Sequence, residues 1–355
     1  MSEDFGGTSK MQTVLVTGGS GFVGSWAIAA LLQQGYRVQT TVRSLTREPE
    51  VRASIARQAD PADRLTFFAA DLLKDEGWDR AAEGAQFILH IASPMPVYEY
   101  KNQDVIRPAR EGTLRVLRAG AKAGVERVVM TSSVVTALSS ETNGEHSTDE
   151  TIWTDLTAKG MNDDQARGLN GYTRAKTLAE QDAWEFVRQE KGAMTLSTIL
   201  AGSIQGPVLG KDFSGSIELV SRLLTGKVPA LPRLGFSTVD VRDLVDLHLK
   251  AMTLPTAAGQ RFIGTGDFLW LADMARILRD NLGVRASKVP TRLAPDFLVR
   301  LSGLFDSDAR EVAPSLGRRR EFSTAKAQKL LGWHARPASE AILDGAESLL
   351  VLGLV

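Results

Sequence analysis

TVLVTGGSGFVG, residues 13–24, is the stretch on which the fold turns. Thr13 to Thr17 is an apolar, β-branched run of the kind that forms a buried strand. Gly18 permits a tight turn, Gly21 lets backbone amides approach an anion closely, and Gly24 lets a following helix lie against a sheet. FVGSWAIAALLQQG (22–35) then reads as that helix, ended by Gly35. Glycine turns are common in isolation. A glycine triad between a strand and a helix is a dinucleotide fingerprint, because the helix N-terminus offers unpaired N–H groups and a positive dipole end to a pyrophosphate. Gly18, Ser20, Gly21, Phe22, Val23 and Gly24 are therefore candidate cofactor-binding residues.

Working outward, YRVQTTV (36–42), RLTFFAA (64–70), QFILHIA (86–92), RVVMTS (127–132) and TLSTILAG (195–202) are further strands. Helical spacing from about Asn102 to Lys122 sets Val105, Ala109, Leu114 and Leu117 on one side. Near-continuous apolar strands alternating with helices predict an α/β protein with a Rossmann-type doubly wound parallel sheet. Gly and Pro become frequent after Gly206. VDVRDLVDLHLKAM (239–252) reads as a helix, RFIGTG (261–266) as a short strand, and LADMARILRDNL, STAKAQKLLGW and SEAILDGAESLLVL as later helices. The expected division is a cofactor domain over 11–205 with a returning segment at about 236–265. A smaller interleaved C-terminal substrate lobe would take 206–235 and 266–345.

The end of the second strand bears on the cofactor. An acidic residue there would bind the ribose hydroxyls of NAD, but the sequence has TTVRS with Arg43 in that position. A guanidinium fork suits a 2′-phosphate, which favours NADP(H). Arg47 and Arg52 are possible assistants. Asp71 and Leu72 follow the third strand, where a side chain can meet the adenine edge, although a helix cap explains Asp71 equally well. Ile91, Ala92 and Ser93 follow the fourth strand, on the sheet edge where ligands bind in such folds.

Tyr172 and Lys176, in GYTRAKTLAEQDAWEF, share one helix face at a spacing of four. A tyrosine ordinarily titrates near pH 10, and a nearby ammonium favours its phenolate. Such a pair can give a proton to a carbonyl oxygen or remove one in reverse. Tyr-x-x-x-Lys alone is usually a helix surface. Its meaning comes from Thr131-Ser132-Ser133, which end the fifth strand and can hold a substrate oxygen with a hydroxyl.

Bulk properties narrow the classes. Lys plus Arg and Asp plus Glu both number 42, so the formal charge is zero, and nucleic acid or an anionic membrane is not expected as a partner. The lack of cysteine removes disulfides, thiolate nucleophiles and cysteine metal sites. His90, His146, His248 and His334 are dispersed, so no metal is expected. MSEDFGGTSK (1–10) is unlike a signal peptide and no apolar run reaches spanning length, so the expected location is the cytoplasm.

Taken in order, TGGSGFVGS, TTVRS, FILHIASP, PAREGTLRVLRAG, VVMTSS, YTRAK and VDVRDLVDLH resemble the extended short-chain dehydrogenase/reductases, in particular their dihydroflavonol-reductase-like branch. The resemblance runs from about Met11 to Trp333. It implies Tyr172 as acid/base, Lys176 as ribose ligand and activator of the tyrosine, and Ser133 as the hydroxyl that positions the carbonyl. Ser133 is chosen over Ser132 because the family's serine immediately precedes a small-residue stretch, here Val134-Val135-Thr136. Thr131, Ala201 and Ser203, and Tyr172 besides its acid/base role, join the candidate cofactor contacts. Ala201 stands where relatives usually have a proline, in a loop that approaches the nicotinamide.

The implied activity is NADPH-dependent reduction of an aldehyde or ketone to an alcohol, reversible as an alcohol dehydrogenase. A nucleotide-sugar epimerase or dehydratase on the same scaffold is the alternative. Arg43, the missing Tyr-Gly pair after TSS and the missing Asp-Glu pair beside the hydroxyl residue all speak against it. A non-catalytic NADP(H) sensor is a further alternative, disfavoured by the retained Tyr/Lys pair. The substrate pocket is expected from Pro94–Tyr98, the segment after Ser133 and the C-terminal lobe, with Met95, Val97, Tyr98, Val134, Trp153 and Phe213 as apolar candidates.

Overall fold

A computed structural model describes residues 11–94, 104–139, 147–158, 168–213 and 215–355, the side chains at 307 and 308 aside. Met95, Val97 and Tyr98 lie outside them. The chain runs β1 (Thr13–Thr17), α1 (Phe22–Gln33), β2 (Arg37–Val42), α2 (Glu48–Ile55), β3 (Leu65–Ala69), α3 (Trp78–Ala82), β4 (Phe87–His90), α4 (Ile106–Ala123), β5 (Arg127–Ser133), α5 (Gly168–Gln189) and β6 (Thr195–Ala201). There follow β7 (Ser203–Gln205), α6 (Gly215–Leu224), β8 (Leu231–Pro232), β9 (Gly235–Asp240), α7 (Val241–Thr253), β10 (Arg261–Gly264), β11 (Phe268–Trp270), α8 (Leu271–Leu282), β12 (Leu293–Ala294), α9 (Asp296–Ser302), α10 (Ser307–Val312), α11 (Ala325–Leu331) and α12 (Ala338–Val351).

Seven parallel strands form one sheet in the order β10-β6-β5-β4-β1-β2-β3. The order reverses at β1, so the crevice beyond the C-terminal ends of β1 and β4 is where this topology places a ligand. β1 shows why the strands read as unbroken apolar runs. Val14 and Val16 enter the core that holds α1 and α7, while Leu15 enters the one that holds α4 and α5. A strand buried on both faces shows no alternation of apolar and polar residues.

The first of these cores continues past the sheet into Ile217 and Val220 of α6, Leu271, Met274 and Leu278 of α8, and Ile342 and Leu349 of α12. The later elements thus share a core with the nucleotide-type sheet, and β10 returns to pair with β6. A small sheet, β11-β9-β7, and the pair β12-β8 complete the later part.

Two local readings need correction. Val239 and Asp240 do not begin the helix, because they end β9 and pair with Ile204 and Gln205. Asp240 is instead the N-cap of α7, its carboxylate accepting from the Arg242 amide at 2.8 Å. EPEVRASI, which carried no assignment, forms α2, with Val51 and Ile55 buried. Asp243 then anchors the C-terminal segment by accepting from both the Arg336 amide, at 2.8 Å, and its guanidinium.

Candidate active site

The glycine loop is fixed by contacts that only glycine allows. Gly18 has φ +75, and a Cβ there would lie 3.1 Å from the Ala92 backbone. A Cβ on Gly24 would lie 2.3 Å from the Gly18 carbonyl oxygen. Gly19, to which the sequence reading gave no role, is as constrained: its Cβ would lie 2.1 Å from Thr40 Oγ1. Thr41 pins the loop, its hydroxyl accepting from the Gly18 amide and its carbonyl from the Gly19 amide, each at 3.1 Å. Gly21 is the N-cap of α1 and places no side chain over the first-turn amides. Phe22 and Val23 are buried, so all they can offer an anion is backbone N–H.

At the next strand end, Thr17 is a hub that sequence reading missed. Its hydroxyl accepts from the Ile91 and Ala92 amides, each at 3.0 Å, and donates to His90 Nδ1 at 3.0 Å. That assigns the His90 proton to Nε2, which donates to Thr113 Oγ1 at 3.3 Å. The loop Ile91–Ser93 is thereby held beside Gly18. Across β5, His248 Nδ1 donates to the Leu244 carbonyl at 2.7 Å, and its Nε2 accepts from Thr131 Oγ1 at 2.8 Å. Thr131 therefore presents its carbonyl, not its hydroxyl, to the crevice.

Both imidazoles are held neutral. Burial, aided by the Lys176 charge, lowers His90 to about 3, and burial lowers His248 to about 4. Unfolded histidines titrate near 6.5, so below that pH the unfolded chain binds the more protons and folding weakens. The two together cost up to about 2.7 kcal/mol per pH unit in that window. Urea midpoints should fall steeply from pH 6.5 to 4.5. A flat profile there contradicts the assignment, and His248→Gln should flatten it in part.

Tyr172 and Lys176 enter from α5. Lys176 is 4% exposed, and its ammonium donates to the Thr131 carbonyl at 2.9 Å and Ser93 Oγ at 3.3 Å. Burial pulls it down to about 8, opposed by the negative charge of Glu180. Tyr172 is pushed above its ordinary value by burial, opposed by a hydrogen bond from the Ser133 hydroxyl. The expected lowering of Tyr172 by Lys176 is thus not the governing influence. The ammonium is turned onto Thr131 and Ser93, and burial outweighs it.

The adjacent serines part company. Ser132 donates to Glu180 Oε2 at 2.6 Å, away from the crevice. Ser133 caps the short 3₁₀ turn Val134–Ala137, its Oγ accepting from the Val135 amide at 3.4 Å, which leaves its proton for Tyr172. The structure brings Ser133, Tyr172, Lys176, Ser93, Ala92 and Gly18 to one edge of the sheet.

The remaining candidates are less central. Arg43 is exposed just past β2 and makes no ion pair among the described residues. Arg47 is paired with Asp212 and with Glu50, and Arg52 with Glu48 at 2.8 Å. One Asp71 oxygen accepts from the Leu73 amide at 2.9 Å, and Leu72 packs on Gly112. Ala201 is the last residue of β6, in register with Ser133 and Gly264, and Ser203 faces the Gln205 amide group at 3.4 Å. Val134 borders the Ser133 turn, whereas Trp153 lies over the Arg261 guanidinium at 3.6 Å and Phe213 packs on the core.

Residues 207–212, expected in the substrate lobe, also reach the glycine loop. Trp26 Nε1 donates to the Pro207 carbonyl at 2.7 Å, Arg57 to that of Leu209 at 3.0 Å, and Lys211 pairs with Glu50 at 3.0 Å. These bonds lay residues 207–212 beside Gly19 and Ser20, lining a narrow cleft. A larger cavity of about 440 Å³ lies further along α5, at Trp153, Gln181 and Trp184. It is remote from the Tyr172 end of that helix. Among the described residues no helix is long and apolar enough to cross a membrane.

Comparison with known proteins places this geometry. Residues 14–263 match the model of the NAD dependent epimerase/dehydratase family. Aldehyde reductase 2 of Sporidiobolus salmonicolor is 34% identical over 322 residues, covering 86% of this chain and 90% of the relative. A cinnamoyl-CoA reductase of Medicago truncatula is 32% identical over 275 residues, covering 75% and 80%. The yeast methylglyoxal/isovaleraldehyde reductase, solved with NADPH, superposes with a TM-score of 0.79 at 24% identity, over 97% of this chain and 100% of that one. The last likeness is one of fold.

Proposed function

The chain belongs to the NAD dependent epimerase/dehydratase family, and from that premise we propose that it is an NADP(H)-dependent carbonyl reductase. The observation that carries the reading is the meeting of Ser133, Tyr172 and Lys176 at the switch point beside a bare glycine loop. The crevice suits a dinucleotide: the turn is packed so closely that a Cβ on Gly18 or Gly24 would meet backbone atoms, and Gly21 leaves the α1 amides clear. Gly18 to Gly24 would hold the pyrophosphate, Arg43 the 2′-phosphate, Asp71 and Leu72 the adenine side, and Lys176 the ribose. Ile91 to Ser93, the Thr131 carbonyl, Ala201 and Ser203 would flank the nicotinamide end. When bound, the cofactor supplies the hydride.

The protein's own groups handle the proton. Ser133 positions the substrate oxygen beside the Tyr172 phenol, which donates its proton to that oxygen as negative charge develops. A phenol kept above its ordinary value by burial stays protonated at neutral pH, the form that reduction needs. Lys176 stays charged at neutral pH and restores polarity around the phenolate left behind. Zero formal charge, the neighbouring reductases and the lack of a membrane-crossing helix among the described residues support a free small-molecule aldehyde or ketone, met in the cytoplasm.

Purified protein should consume NADPH and a carbonyl substrate one for one, across a panel of aromatic and aliphatic aldehydes and ketones, and use NADH poorly. Conversion of nucleotide sugars with no net cofactor consumption would favour the epimerase reading. NADPH binding without turnover on any substrate would favour the sensor. Arg43→Asp tests the coenzyme assignment. Losing a charge-assisted contact to phosphate should weaken NADPH at least about tenfold and NADH hardly at all. Equal loss for both cofactors removes Arg43 from the 2′-phosphate.

A further inference from the structure

Below Lys176 on α5 lies a buried charge that proton transfer to the carbonyl does not use. Glu180 is fully buried, yet it sits one turn beyond Lys176 and two beyond Tyr172 on the same face. Its carboxylate collects five donors. Ser132 at 2.6 Å and Thr136 at 2.8 Å donate to Oε2. Thr198 at 2.7 Å, Arg261 Nε at 2.8 Å and Trp184 Nε1 at 3.4 Å donate to Oε1.

Arg261 is itself fixed. It donates to the carbonyls of Glu150 at 2.6 Å and Ile152 at 3.0 Å and to Thr136 Oγ1 at 3.1 Å, with the Trp153 ring 3.6 Å from its centre. Thr154, from the same segment, caps the Ser133 turn from outside, its hydroxyl accepting from the Leu138 amide and donating to the Val135 carbonyl.

Two of the donors, Ser132 and Thr136, bracket Ser133 in sequence. Glu180 therefore grips the strand end and turn that present Ser133 to Tyr172, and grips them from the helix that carries Tyr172 and Lys176. A buried ion pair is poor value as a stabiliser, since apolar residues of similar volume do as well or better. Its use must lie in what it fixes.

We propose that Glu180, locked by Arg261, is the positioning residue of this site: it sets Ser133 against Tyr172 and places a fixed negative charge beneath the Lys176 ammonium. The proposal rests on the carbonyl-reductase reading. The charged or titratable groups around the pair are Lys176 on α5, Arg261 on β10, Glu150 and Lys326 beyond Arg261, and neutral His90 beyond Lys176. Removing the Glu180 charge lowers Lys176 further; burial still governs the phenol, and the Tyr172 phenolate loses the part of its support that a charged Lys176 supplies.

The test is Glu180→Gln, read in the direction of alcohol oxidation, where the phenolate is the working form. Its kcat should fall about tenfold or more, with NADP⁺ affinity within about twofold of the parent. The rising limb of kcat against pH should move up by about half a unit or more. A folded variant with unchanged kcat and unchanged limb overturns the proposal.

Should loss of the Arg261 partner prevent folding, Ser132→Ala decides, since it leaves the ion pair intact. Its kcat should drop about threefold with the limb unmoved, and parental kcat overturns the proposal. If the parent reduces no carbonyl, the functional reading fails by itself. The phenolate absorbance of Tyr172, taken as the difference from Tyr172→Phe, then decides. A midpoint raised by Glu180→Gln supports the positioning role, and an unmoved midpoint overturns it.

Discussion

Tyr172→Phe should lose about 10²–10⁴-fold in kcat, the usual worth of a positioned proton donor, while binding NADPH within about threefold of the parent. The split follows from where the phenol sits. Its hydroxyl meets Ser133, whereas the glycine loop is held by Thr41 and the Ile91–Ser93 loop by Thr17. Neither support passes through Tyr172. The ring is retained in phenylalanine, so packing is little changed and only the proton is lost. Turnover retained in this variant would remove Tyr172 from the chemistry. Turnover and NADPH affinity lost together would instead point to a structural or cofactor-holding role.

Gly24→Ala should abolish measurable NADPH binding and destabilise the fold, because its Cβ would meet the Gly18 carbonyl oxygen at 2.3 Å, a backbone atom that cannot rotate away. Overpacking of this kind costs about 1–3 kcal/mol or more. Here relief requires α1 to lift off the turn that forms the anion cradle. Gly21→Ala makes the useful contrast. Its backbone at φ −80 suits any residue, and its Cβ would lie 3.3 Å from the same carbonyl. Gly21→Ala should therefore fold normally yet bind NADPH more weakly, because a methyl group now stands over the first amides of α1. Thermal midpoints and NADPH titrations separate the two. Equal stability in both variants, or unimpaired binding in Gly24→Ala, contradicts the cradle.

The sheet was legible because its strands are buried on both faces. TVLVT, FILH and TLSTILA leave no polar alternation to confuse with surface strands. The helix of residues 271–282 was equally plain from its apolar spacing. β9 was missed because GFSTVD runs directly into VRDLVD with no glycine or proline between them. Asp240 supplies both the strand end and the helix cap. EPEVRASI carries only a weak helical signal because its apolar face is Val51 and Ile55 alone.

At the site, Tyr172 and Lys176 could be found by spacing and Gly18 to Gly24 by motif. Choosing Ser133 over Ser132 needed resemblance. Successive residues of a strand point oppositely, and nothing local says which side of β5 faces Glu180. Thr17, His90, His248, Glu180 and Arg261 were invisible for another reason. Each acts through a partner far along the chain, as in Thr17 to His90, 73 residues apart, His248 to Thr131, 117 apart, and Glu180 to Arg261, 81 apart. A lone buried polar residue carries no periodic signal.

The most direct test of hydride transfer to a carbonyl uses NADPH carrying deuterium at the reactive C4 position, with the product alcohol examined by mass spectrometry. The expected result is one deuterium on the carbinol carbon of the alcohol, with NADP⁺ formed in equal amount and Tyr172→Phe almost inactive. Alcohol formed without label when each face of C4 is labelled in turn, or labelled cofactor recovered unchanged after conversion of a substrate, would contradict a net carbonyl reductase.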